Sequence, residues 1–403
     1  MESLFLRFHG TGNWGIMRTI KISTWIFALG ILTTSCIERY FPESETNFIP
    51  KLVITGSISA DEGDQEVVIS ESSSSDMPVF SPVSGCTVFV EDEKGNRLPF
   101  YESAEAGHYR GKFEGSLVIV GSRYRLSVKT PSGKQMLSKY EKLMPCPVVD
   151  SVYYELQSKP TTDPEKRENG LQFYVDFKGN ENYGNFFRWQ LIETFEYHST
   201  WPLDRWLDWD GVHDLTKPDY SNFICYKTDV LNDIFVLSTD GFSQNNFSKY
   251  KLHFVKDQIQ KLQHKYSLLV RQYSLTKSAY NYWENIRKNN QESVDLFGRQ
   301  PANVKGNIYN LNDTTDLALG YFSISTTRAK RIMISSVQGL KFDKVYHCKA
   351  LVIDGPIPTD ERPFYFAIDY DANGVRYVGR AGAECIFCTM LGGTTEKPPY
   401  WDK

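Results

Sequence analysis

Cys385 and Cys388 stand three residues apart in the closing stretch "CIFCTMLGGTTEKPPYWDK", the first spacing in this chain that suggests chemistry. The same CxxC serves redox centres, zinc ribbons and disulfide frameworks. A redox pair wants a helix N-terminus to lower its thiol pKa, and the Gly and Pro pairs that follow here argue against a helix. Zinc needs two more ligands, which only the His347-Cys348 neighbourhood offers. With Cys36 set aside, six cysteines remain: Cys86, Cys146, Cys225, Cys348, Cys385 and Cys388. In an exported chain an even count favours disulfides, with all pairings open.

Two other stretches could carry a site. "IDYDANGVRYV" places Asp369, Asp371, Asn373 and Gly374 as in the first half of a calcium loop, but Arg380 stands where a bidentate Glu is needed. Asn-Gly between alternating runs favours a hairpin instead. "TWPLDRWLDWDGVHD" concentrates Trp201, Trp206 and Trp209 among four Asp, where a long loop between strands is expected. Such a loop is the first choice for a recognition surface, because aromatic faces bury much area at little entropic cost; the alternative is a loop folded onto its own tryptophans. Nucleophile-elbow, zinc-protease, P-loop and dinucleotide motifs are absent, and the seven His are scattered. The sequence therefore assigns no catalytic residue, no metal ligand set and no cofactor, although a glycosidase carboxylate pair would leave no motif.

The compartment comes from the N-terminus. Arg18 and Lys21 precede an apolar run from Trp25 to Leu32 and small residues up to Cys36, which is the layout of a secretory signal, with Met17 as the natural start. The run is too short to span a bilayer. Cys36 at the cleavage point suggests a lipobox, with Thr33 in place of the usual Leu, and acylation there would anchor the protein to a membrane. A net charge of -4 and a pI of about 6.0 give no basic face for nucleic acid.

The remaining chain is long enough for about two domains of roughly 150 residues. After a linker at 37–47, residues 48–146 read as short period-2 strands with turns at Gly95-Asn96 and Ser132-Gly133, the pattern of an immunoglobulin-like β-sandwich. Pro145 and Pro147 mark a hinge around Cys146. Residues 147–403 read as a larger β-rich domain, sandwich or barrel-like. In it "LQFYVDF" and "NFFRWQLIETFEY" are expected to form a hairpin. One amphipathic helix is expected at about 276–291, with Thr276 as N-cap and Ala279, Tyr282, Trp283 and Ile286 on its apolar face. The fold class is mainly β.

In order along the chain, "CIERY", "LVITGSIS", "PVSGCTVFVEDEKG", "GKQMLSKYEKLMPCPVVDSVYY", "YSLTKSAYNYWENI", "LFGRQPANVKGNIYNLND", "LGYFSIS" and "CIFCTMLGGTTEKPPYW" resemble the Bacteroidetes lipoproteins grouped as DUF4249. Cys86 departs from the family pattern, which more usually has a small, alanine-like residue there. The resemblance implies a cell-envelope, outer-membrane lipoprotein, an accessory or ligand-capturing partner of a TonB-dependent transporter, with the membrane face and the ligand left open. It carries over no catalytic residue. A structural or adhesive envelope protein is the alternative reading, and a glycoside or other hydrolase on a β-scaffold the third.

Overall fold

The computed structural model describes residues 48–60, 63–74, 78–112, 118–180, 182–257, 260–292, 304–340, 348–357 and 359–402. The signal segment, Met17, Cys36 and the 37–47 linker lie outside the described residues. Mainly β describes the rest: strands dominate, with one α-helix among the described residues.

The first sheet grows from the alternation that the sequence shows. β1 (Leu52–Ser59), β2 (Asp64–Glu71), β3 (Ser81–Pro82), β4 (Thr87–Asp92), β5 (Arg97–Glu102), β6 (His108–Lys112), β7 (Arg123–Lys129), β8 (Gln135–Ser138) and β9 (Glu141–Lys142) build it, and β1, β2, β4 and β7 send alternate side chains inward over most of their length. Ile54, Ile58, Val67, Ile69, Val88, Val90, Leu126 and Val128 are all buried in one core as a result. The β4–β5 and β7–β8 hairpins turn where expected, with Gly95 and Gly133 at positive φ. Hydrogen bonding runs through β8-β7-β4-β5-β6-β2-β1 without a break, in a nearly closed, barrel-like sheet. Its two ends come from far along the chain: β19 (Ile308–Asn310) pairs with β8, and β20 (Phe322–Ser325) pairs in parallel with β1. Gly320 permits that approach. Its φ is +92°, and a Cβ there would sit 2.2 Å from the carbonyl oxygen of Ile54.

Two facing sheets form the main body. β10 (Val149–Pro160), β11 (Arg167–Lys178) and β17 (Asn246–Lys256) make one. β12 (Phe186–His198), β15 (Ile224–Val230), β16 (Phe235–Ser238), β18 (Tyr266–Ser274) and β21 (Thr327–Ile334) make the other, in the order β15-β12-β18-β21 with β16 alongside β12. The expected hairpin between β11 and β12 does not form: the two strands lie in different sheets. Each carries a bulky apolar parity, and facing layers bury both at once, whereas a hairpin would place them side by side on a single face. The Phe177 and Phe187 rings meet across the gap at 4.5 Å, Trp189 stacks on Tyr250 at 4.5 Å, and Phe173 stacks on Tyr266 at 5.8 Å. Each such buried aromatic contributes about 1.5–3 kcal/mol by area alone. Trp189 and Gln272 are matched inside: Trp189 Nε1 donates to Gln272 Oε1 at 3.0 Å, and Gln272 Nε2 donates to the Pro147 carbonyl at 2.9 Å.

The helix α1 (Lys277–Glu292) begins where the Thr276 hydroxyl accepts from the Ala279 N–H at 3.2 Å, an N-cap as expected. Ala279, Tyr282 and Trp283 pack with Tyr273 and Tyr321. Glu284 pairs with Arg287 and Lys288 on the outer face. Beneath the first turn lies Glu141, buried and accepting from Thr276, Ser278 (2.9 Å), Asn307 (3.3 Å) and Tyr321 (2.5 Å). One carboxylate thus ties β9, α1 and the 307–321 segment together.

A smaller sheet completes the chain. β13 (Leu203–Leu207), β14 (Val212–Asp219), β22 (Leu351–Val352), β23 (Phe364–Tyr370) and β24 (Arg376–Ala381) take the order β14-β13-β23-β24-β22. The long loop expected around the tryptophans is therefore a hairpin. Leu203, Arg205 and Leu207 alternate along β13, Gly211 turns the chain, and β23 supplies a partner from 160 residues away that no local pattern announces. The half-calcium loop is a hairpin turn between β23 and β24, as its Asn-Gly suggests. Asp371 Oδ1 accepts from the N–H groups of Asn373 and Val375 at 2.8 Å, so backbone donors already occupy it.

Candidate functional site

The six candidate cysteines divide into two groups. Cys225 on β15 bonds Cys388, and Cys348 bonds Cys385. Cys86 and Cys146 stay outside the disulfides. Cys146 is buried against β18, where its thiol donates to the Gln272 carbonyl at 3.4 Å. Cys86 is half-buried and approaches the Val83 carbonyl, and burial pushes its thiol up from the ordinary range. The two halves of the CxxC therefore face different ways. Cys385 holds the segment just before β22, and Cys388 holds a strand of the main body.

That arrangement positions the tryptophans. The Thr200 and Trp201 N–H groups both donate to the Cys385 carbonyl, at 2.9 and 3.1 Å. Trp201 then packs against a core of Ala350, Ala367, Ala381 and Ile386. Trp206 lies flat on His213, its cross-strand partner, with ring centres 4.7 Å apart and planes 9° from parallel. Asp208 locks the pair, accepting from Trp206 Nε1 at 3.2 Å and sitting 2.9 Å from His213 Nε2. The His213 hydrogen bond, together with those from Trp206 and the Asp210 N–H, holds the Asp208 carboxyl below its usual range, so it is ionised at neutral pH. Trp209, at the hairpin tip, is 71% exposed. The three residues thus take three roles: Trp201 underpins the sheet, Trp206 stiffens the hairpin and Trp209 faces solvent.

A cleft of about 400 Å³ opens on this sheet between Trp201, Asp204, Arg205, Phe366, Ile368 and Arg376. Its walls are aromatic and aliphatic, and its polar handles are two guanidinium groups and one carboxylate. Arg205 is ion-paired with Asp214 across the hairpin, which fixes it at the rim. Apolar walls with a few oriented polar groups are what a small-ligand site requires. Ser, Cys and His do not line it.

Sequence reading missed Arg205, Arg376 and the β23 wall, because the cleft exists only once residues 201–218 and 364–378 are paired. It also missed a second cluster. Glu196 and His198 project from the same side of β12, and backbone pairing of Glu196 with Lys265 brings His264 beside them. The Glu-x-His spacing on a strand was visible in the sequence; its third member was not. The two imidazoles stack with centres 3.7 Å apart, and one ligand atom from each of the three residues lies within 4.8 Å of the others. Burial, and then the neighbouring His198, lowers the His264 pKa, leaving the ring neutral at physiological pH. Burial alone would raise Glu196, but hydrogen bonds from His198 and from Trp401 outweigh it and hold the carboxyl below its usual range. Among the described residues this is the group that could hold a metal ion.

No helix among the described residues is long and apolar enough to cross a membrane. No curated protein matches the chain. Among solved structures the chain is similar to a DUF4785 family protein (lpg0956) from Legionella pneumophila subsp. pneumophila str. Philadelphia 1, at 10% identity and a TM-score of 0.17. The match covers 55% of this chain and 52% of that one, about half its length, and a likeness so slight carries no argument. Residues 37–331, by contrast, match the family described as domain of unknown function (DUF4249), spanning most of the chain, and the protein belongs to that family.

Proposed function

We propose that this protein is a non-catalytic binding module of the cell envelope, an outer-membrane lipoprotein anchored through Cys36 that captures a ligand beside a TonB-dependent transporter. The observation that carries the binding reading is the cleft between Trp201, Arg205 and Arg376, preformed on a sheet whose hairpin is stiffened by its own Trp206–His213 stack. Preorganised aromatic and guanidinium groups lower the ordering cost of binding. The anchor rests on the signal-like segment before Cys36, and the transporter on the family resemblance. An acylated Cys36 needs no transmembrane helix to hold the protein at a membrane.

The test is recovery of the full-length, tagged protein from detergent-solubilised membranes of its own cells. A large β-barrel protein should co-purify, and Cys36→Ala should move the protein to the soluble fraction. A clean preparation with no barrel partner rejects the transporter role, and continued membrane association of the Cys36 variant rejects the anchor. Loss of envelope integrity on deletion, with uptake intact, would instead establish the structural reading.

A further inference from the structure

We infer that Glu196, His198 and His264 form a binding site for a divalent late-transition-metal ion of the Zn²⁺ type, separate from the Trp201 cleft. Three features of the geometry argue for it. First, the donors are two imidazoles and one carboxylate, the set that suits Zn²⁺, Ni²⁺ or Cu²⁺ and disfavours Ca²⁺ and Mg²⁺, which take oxygen ligands. Second, the ligands sit on rigid, adjacent elements. Glu196 and His198 alternate on β12, and His264 precedes β18, which pairs with β12 from Phe195 to Phe187. Their ligand atoms already lie within 4.8 Å of one another. A tetrahedral zinc with bonds of about 2.0–2.1 Å brings such atoms to about 3.4 Å, a closure that imidazole and carboxylate rotation supplies without backbone movement. Third, a cavity of about 280 Å³ opens over His198 and His264, bordered by Ser199, Gln263 and Glu384. Two imidazoles bordering open space, with the carboxylate beside them, leave room for water or an exchangeable ligand in a fourth position.

The surroundings add an outer support. Glu196 Oε1 meets His198 Nε2 at 2.9 Å, while its other oxygen accepts from Trp401 Nε1 at 3.0 Å. Trp401 is 1% exposed, set edge-on to Tyr226, and its carbonyl accepts from Lys265. The tail that the CxxC pins thus ends by orienting the carboxylate, as outer hydrogen bonds do for metal ligands.

The experiment is a zinc titration of the untagged, metal-stripped, disulfide-intact protein against a chromophoric chelator, repeated with Co²⁺ for its ligand-field spectrum. We expect one equivalent of Zn²⁺, tetrahedral-type Co²⁺ bands, and no competition from millimolar Ca²⁺ or Mg²⁺. His198→Ala and His264→Ala should each weaken zinc at least tenfold, and Trp401→Phe, which removes the N–H donor and leaves a smaller aromatic ring in its place, about tenfold. Circular dichroism shows that each variant is folded, and His264→Gln replaces any that is not. Absence of stoichiometric zinc binding by the native protein, or equal binding by a folded His198/His264 double variant, overturns the assignment.

Discussion

The main body and the small sheet use the same aromatic residues in opposite ways. In the body, Trp189, Phe173, Phe177 and Phe187 are essentially inaccessible and interlock between two facing sheets. In the small sheet the buried core is three alanines and Ile386, while Trp209 stands 71% exposed and Trp201 and Phe366 line a cleft. The body buries its large side chains fully, whereas the small sheet keeps most of its own partly buried or exposed. The fully buried cluster of this sheet is small, so it gains less from the hydrophobic effect than the body does. Covalent bonds make up the shortfall: Cys385 closes the small sheet through Cys348, and Cys388, three residues on, fastens it to β15. The CxxC is a coupling between the body and the small sheet.

Cutting into each region should separate the two strategies. Trp189→Ala removes a fully buried ring and leaves Gln272 Oε1 without its donor; it should cost about 3–5 kcal/mol in urea unfolding of the whole protein. A loss below about 1 kcal/mol would mean that the body is not the source of stability. Replacing Cys348 and Cys385 together by Ser should cost about 2–4 kcal/mol, but locally. Amide exchange should quicken in residues 201–219 and 350–381 while β11 and β12 keep their protection. Uniform loss of protection would show that the small sheet is not a separate cooperative unit.

Local elements were readable in advance in both regions and the long-range pairings were not, for a physical reason. β1, β2, β12, β18 and α1 carry their own periodicity, and Thr276 and Gly95 their own cap and turn, so local pattern is enough. β12 even displayed the correct buried parity, with Phe187, Trp189, Leu191, Phe195 and Tyr197 inward. Local pattern does not say which strand lies opposite, so β11 and β12 looked like a hairpin when they are facing layers. The same limit hid β20 against β1, the β13–β23 pairing and the convergence of His264 on His198. Each of these is a contact between segments tens to hundreds of residues apart. Four of the six candidate cysteines are fasteners as expected, Cys86 and Cys146 are not, and the pairing itself was not legible.

At the hairpin tip the contrast predicts a small stability effect and a large binding one. Trp209→Ala should change the unfolding midpoint by no more than about 0.5 kcal/mol, since an exposed side chain has little packing to lose. Affinity for a partner that docks on the exposed hairpin tip, read by pull-down, should fall. A destabilisation of 2 kcal/mol or more would place Trp209 in a packed core and remove it from the recognition surface.

The smallest expected difference is in acid. His253, on β17 of the body, has its pKa lowered from 6.5 because burial outweighs the nearby Glu193 and Asp233 carboxylates. Above about pH 7 both folded and unfolded chains hold this ring neutral and stability is full. As pH falls through 6.5 the unfolded chain takes up a proton that the folded one resists, so the body loses stability until the lower folded pKa is reached. Asp208 on the small sheet behaves differently. Its folded pKa lies below 3.8, so its contribution is complete above the unfolded value and is lost only as pH falls below that. The body should therefore soften between pH 7 and 5 while the Trp206–His213–Asp208 hairpin keeps its carboxylate anchor, and His253→Gln should flatten the pH dependence of the urea midpoint over that interval. An unchanged slope in that variant would mean that the ring is hydrated in the folded state and that the body's acid sensitivity arises elsewhere.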